Sequence, residues 1–106
     1  MTKYIQVMST VPNQAAATRI AGLLVEARLA GCVQIIGPVT SMYRWQGKVE
    51  SASEILLLIK SRQDLFPAVV EVITANHPYE VPEILAVPVV AGGPAYLNWL
   101  AGELRD

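Results

Sequence analysis

Two hydrophobic periods take turns along this chain. The stretch KYIQVMST, Lys3 to Thr10, sets Ile5 and Val7 against Gln6, an alternation that predicts a first strand. From Asn13 the period becomes helical: Ala17, Ile20, Leu24 and Ala27 recur on one side, with Asn13 placed as N-cap and Gly31 as C-cap. Alternation returns in CVQIIGPVTSMYRWQGKVESASEILLLIK, with Val33, Ile35, Val39, Tyr43 and Trp45 predicted on one face and Gln34, Thr40 and Arg44 on the other. Gly37-Pro38 interrupts this pattern and predicts a bulge or bend. Gln46-Gly47 predicts the hairpin turn, because glycine takes the positive φ of a tight two-residue connection. The unbroken apolar run Ile55 to Ile59 fits a strand covered on both faces.

A second helical pattern fills DLFPAVVEVITANHP, with Asp64 as N-cap, Pro67 in the first turn, and Leu65, Val69, Val72 and Ile73 as the buried stripe. Pro78 stops it at His77, because the residue before a proline is driven out of the α region. PEILAVPVVA reads as a fourth strand whose Pro88 argues for an edge or a bulge. GPAYLNWLAGEL closes with a short helix starting at Pro94 and clustering Tyr96, Leu97, Trp99 and Leu100 on one side. The order is βαββαβ plus a C-terminal helix, an α+β, ferredoxin-like sandwich. In that topology Cys32 starts the second strand at one end, and His77 ends the second helix at the other. A helix of that length spans roughly 25 Å, so the two cannot ligate one metal within one subunit. His77, Tyr79 and Glu80 instead share an end with Ser9-Thr10 and with the hairpin carrying Tyr43 and Trp45.

Composition narrows the function. The 106 residues make one domain, 1–106, with no room for a second core. With 8 Lys plus Arg against 9 Asp plus Glu there is no basic footprint for nucleic acid. A hydrophobic fraction of 53% with 16% charged residues is high for a small monomer and predicts that apolar surface is buried against further copies. No run approaches a membrane span, and Met1-Thr2-Lys3 leads into a strand pattern, so a soluble cytoplasmic protein is expected. A single cysteine excludes an intrachain disulfide and a thiolate-rich zinc site. With no nucleophile motif, no phosphate loop and one histidine, no enzymatic activity is expected, although Glu80 and Glu83 flank Pro82 as a carboxylate pair.

AGCVQI, SMYRWQGKVE, NHPYEVPEI and YLNWL, in this order and spacing, resemble the CutA family, named for divalent-cation tolerance, over nearly the whole chain. The resemblance implies a ferredoxin-like subunit in a tight homotrimer shaped like the PII signalling proteins. It also implies binding of copper, Cu(II) or another divalent cation, with no organic cofactor. The family's cysteine position is kept at Cys32 and its His-Pro-Tyr-Glu motif at residues 77–80. The additional cysteines of some members are missing, so a cysteine-rich copper site is not implied.

Candidate metal ligands are therefore His77 and Glu80, with Cys32 as a separate third. Each has a plain structural alternative. Cys32 fits a small buried hydrophobe, and His77 fits a cap on the carbonyls at a helix C-terminus. Tyr43, Trp45 and Tyr79 are candidates for lining a cleft between subunits, or for packing with polar edges outward. Trp99 and Tyr96 read as interface or core aromatics. Three readings stay open: a metal-binding trimer, a PII-like trimer with a small ligand in its cleft, and an assembly scaffold.

Overall fold

The computed structural model describes residues 3–106. Met1 and Thr2, where the sequence was read for a leader, lie outside the described residues. The elements are β1 (Tyr4–Val11), α1 (Gln14–Glu26), β2 (Cys32–Trp45), β3 (Lys48–Arg62), α2 (Phe66–Asn76), β4 (Leu85–Pro88) and α3 (Pro94–Glu103). The strands form one antiparallel sheet in the order β2-β3-β1-β4, which is the ferredoxin-like arrangement. No helix among the described residues is long and apolar enough to cross a membrane.

The helices cover one face of the sheet. Val7 and Val11 of β1 and Leu57 and Ile59 of β3 are fully buried there against Ala17, Ile20 and Leu24 of α1 and Val69 and Ile73 of α2. Alternation puts Met8, Leu56 and Leu58 on the other face, where no helix among the described residues covers them. Ile36, Leu85 and Val87 join them by register and are 43, 57 and 41% exposed. The apolar run of β3 is thus covered on one face only within a single chain.

Asn13 caps α1 as expected, its side chain accepting from the Ala16 N–H. Gly31 is not the C-cap. The helix ends in a Schellman motif in which Leu29 N–H reaches Leu24 O, Arg28 N–H reaches Val25 O, and Arg28 takes the left-handed position at φ 60°. An arginine stands there because its guanidinium donates to the Glu103 and Gly102 carbonyls at the end of α3, bonds a glycine could not make. Gly31 serves packing instead, since a Cβ there would lie 2.5 Å from Leu100 Cδ1. Asp64 is likewise not a cap. It pairs with Arg62 while residues 63–65 form a 3-10 turn ahead of α2.

β3 outruns β1. Pairing with β1 starts at Ile55, so residues 48–54 pair with β2 alone and the hairpin projects as an arm. The radius of gyration is 14.3 Å, against about 13 Å for a compact chain of this length. At the tip, Gln46 and Gly47 both have positive φ, the type I′ turn that matches strand twist. Between Ile36 and Val39 the register shifts by one residue at Gly37-Pro38. A Cβ on Gly37 would lie 2.6 Å from Ile55 Cδ1 and 3.3 Å from Ile55 Cα, so a side chain here would press on β3.

This bulge corrects the predicted faces of β2. Val33 and Ile35 oppose Ile59 and Leu57 on the helix side, whereas Val39 opposes Glu54 on the open side. One inserted residue reverses the parity beyond it, so Ser41, Tyr43 and Trp45 share the face of Glu54 and Thr10. In the N-terminal cap, replacement Asn13→Ala is expected to cost about 1 kcal/mol and Asn13→Asp to preserve stability, read from urea midpoints at constant protein concentration.

Candidate functional site

The end of the sheet beneath the arm holds a cavity of about 560 Å³, lined among others by Thr10, Tyr43, Trp45, Glu54, Tyr79 and Glu80. Three elements deliver these side chains. β1 ends at Val11, placing Thr10 at the sheet's edge; the bulge turns Tyr43 and Trp45 onto this side; and Pro78 breaks α2 so that residues 79–83 cross over the strand end.

His77 fixes that crossing. It is 9% exposed, and its Nδ1 accepts the Tyr79 N–H at 3.0 Å. The ring proton therefore sits on Nε2, which donates to the Thr10 carbonyl at 2.7 Å. Both nitrogens are engaged, so His77 has no free lone pair for a metal in this arrangement. Nor does it cap its own helix: the Asn76 carbonyl receives Arg19 Nη2 from α1 at 2.9 Å. The imidazole is a strut between the end of β1 and the turn after α2.

Tyr79 extends the strut. Its ring lies 4.8 Å from that of His77, and its hydroxyl donates to Glu54 Oε2 at 3.1 Å. The Tyr79 phenol is held above the ordinary tyrosine range, by burial first and then by its hydrogen bond to Glu54 and the charges of Glu54 and Tyr43. Glu54 is 6% exposed, the one carboxylate in the buried set. Glu80 and Glu83 also line the cavity, and the lining contains no lysine or arginine. The ionisable side chains of this wall are therefore carboxylic or phenolic.

The candidates from the sequence thus divide. Tyr43, Trp45, Tyr79 and Glu80 meet at one cavity, with His77 behind it. Cys32 is half-buried at the far end of the sheet, opposite Lys60 in register; the nearby Tyr96 phenol is raised, by burial first and then by its electrostatic interaction with Cys32. The Tyr96 and Trp99 rings lie 5.5 Å apart, tilted by 41°, and are each 46% exposed, so neither is core in a single chain. Among the described residues no three His, Cys, Asp or Glu side chains stand close enough to hold a metal ion. Sequence reading missed Glu54. Its one signal was parity, a carboxylate two residues before Leu56 on the alternating face of a strand.

An antiparallel α+β sandwich with an acid-lined cleft beneath a projecting hairpin describes a ferredoxin-like domain. The chain belongs to the family described as CutA1 divalent ion tolerance protein, matched over residues 5–103. The chloroplastic CutA protein of Arabidopsis thaliana is 45% identical over 102 residues, 96% of this chain and 56% of the relative. The divalent-cation tolerance protein CutA of Thermus thermophilus is 50% identical over 94 residues, 89% of this chain and 91% of the relative. The crystal structure of CutA1 from Oryza sativa superposes with a TM-score of 0.96 at 43% identity, covering 99% of this chain and 96% of that one. The chain spans about half the length of the plant and mammalian relatives it matches.

The raised Tyr79 phenol has a pH consequence. The folded chain keeps this proton more tightly than the unfolded chain, which binds fewer protons in the tyrosine range, so stability falls as pH rises beyond about 10. Tyr79→Phe is expected to flatten that fall, measured as urea midpoints from about pH 9 to 11, with the similarly raised Tyr96 leaving a residual slope.

Proposed function

We propose that this chain acts without catalysis, as a homotrimer of PII-like shape that binds a divalent cation, Cu(II) or another, in its acid-lined cleft. The observation that carries the reading is the cleft wall itself: Glu54, Glu80 and Glu83 with no basic side chain among them. Carboxylate oxygens suit hydrated divalent ions, and with no ligand triad in one chain the ion keeps water or completes its shell from a neighbouring copy. The family's printed description, divalent ion tolerance, agrees with this chemistry. His77 and Cys32 stand outside the ligand set, the first because its nitrogens are engaged, the second because it lies at the other end of the sheet.

Self-association is supported by the open face. Met8, Ile36, Leu56, Leu58, Leu85 and Val87 form an apolar face that further copies would cover. Both edges of the projecting arm are unpaired beyond β1, and a closed ring of copies would cover them.

A Cu(II) titration followed by EPR tests the cation site. The expected spectrum is that of oxygen donors, with Glu80→Gln plus Glu83→Gln weakening affinity by about tenfold, or ~1.4 kcal/mol. A nitrogen-coupled spectrum lost in His77→Ala would overturn the assignment. For the assembly, Leu58→Glu is expected to convert a three-chain mass to single chains in sedimentation equilibrium; an unchanged mass would place the interface elsewhere.

A further inference from the structure

The cleft contains a buried carboxylate that forms no ion pair among the described residues. Glu54 is 6% exposed, and the Tyr79 hydroxyl bonds only its Oε2. Oε1 accepts no hydrogen bond from the described residues, yet it is not sealed from solvent. The ion pair among the described residues joins Arg62 to Asp64, beside Tyr4 at the opposite end of the sheet. A carboxylate withdrawn from water without a cationic partner carries a desolvation cost that an incoming cation offsets.

Three further features say what kind of cation fits. The volume, about 560 Å³, exceeds what a bare metal ion occupies and lies within the roughly 300–1,000 Å³ of small-molecule pockets. Tyr43, Trp45 and Tyr79 supply aromatic rings, whose electron-rich faces attract ammonium and guanidinium groups. Met42 and Val81 add apolar wall, which a hydrated metal ion does not use and an alkyl chain does.

The geometry points to a small organic cation, an alkylammonium or guanidinium compound, as a ligand of this cleft, its charged head on Glu54 and its apolar part against Tyr43 and Trp45. This rests on the cation-accepting reading above and extends it from a metal ion to an organic cation. Glu54 Oε1 offers the free acceptor for an N–H donor, and the Tyr79 hydroxyl, oriented through the His77 strut, holds the carboxylate in place. Selectivity against uncharged ligands follows from the carboxylate, which a neutral molecule of the same shape does not engage.

The experiment is isothermal titration calorimetry on the assembled protein with n-butylammonium chloride, with n-butanol as the uncharged equivalent, and with MnCl2 as a separate titrant. Butylammonium is expected to bind saturably, unaffected by chelator and at least about tenfold more tightly than butanol, with Glu54→Gln removing at least about tenfold of that affinity. Equal binding of butylammonium and butanol, or undiminished binding by Glu54→Gln, overturns the inference. If Mn(II) binds and butylammonium does not, the organic ligand falls while the cation cleft stands. If neither binds, both fall, as when a lysine or arginine of a neighbouring copy fills the cleft. Should Glu54→Gln fail to assemble, Trp45→Leu decides, because Trp45 is 51% exposed and its loss spares the core. Weakened butylammonium binding at an unchanged melting temperature supports the inference, and unchanged binding overturns it.

Discussion

β3 is 15 residues long and β1 is 8, and this mismatch shapes the molecule. Where the two run together, helices close over one face and make the core. Where β3 continues alone with β2, no third strand among the described residues pairs with it, so the hairpin becomes an arm with two unpaired edges. The cavity exists because the arm overhangs the end of β1, and its floor and roof come from segments far apart in the chain.

The bulge at Gly37-Pro38 decides what the overhang presents. Without the extra residue, Thr40 and Arg44 would share the face of Glu54, and Arg44 would bring a guanidinium toward the buried carboxylate. With it, Tyr43 and Trp45 take that side and the cleft stays acidic and aromatic. A one-residue backbone irregularity thereby decides which side chains line the cleft.

His77 shows how a residue suited to metal chemistry can be spent on framework. It connects the last carbonyl region of β1 to the turn after α2 through both ring nitrogens, and Tyr79 relays that order to Glu54. The polar concentration in NHPYEVPEI therefore has two functions in sequence. Its first residues anchor the crossing, and Tyr79, Glu80 and Glu83 furnish the cleft wall.

Much was written in local pattern. The βαββαβ order, the Asn13 cap, the Gln46-Gly47 turn, the stop at Pro78 and the edge position of Pro88 all follow from propensity and period, because each depends on neighbours within a few residues. The opposite placement of Cys32 and His77 followed from topology alone. What the sequence could not supply was long-range. The Arg28 cap depends on carbonyls of α3, so Gly31, the better local choice, was released for packing against Leu100. The engagement of both His77 nitrogens requires the Thr10 carbonyl, 67 residues away along the chain. The importance of Glu54 appears only when its register with β2 and its bond to Tyr79 are known. Local chemistry determined the elements by itself; which groups meet, and which are left free for a ligand, was decided by strand register and by tertiary hydrogen bonds that pair residues no sequence window contains together.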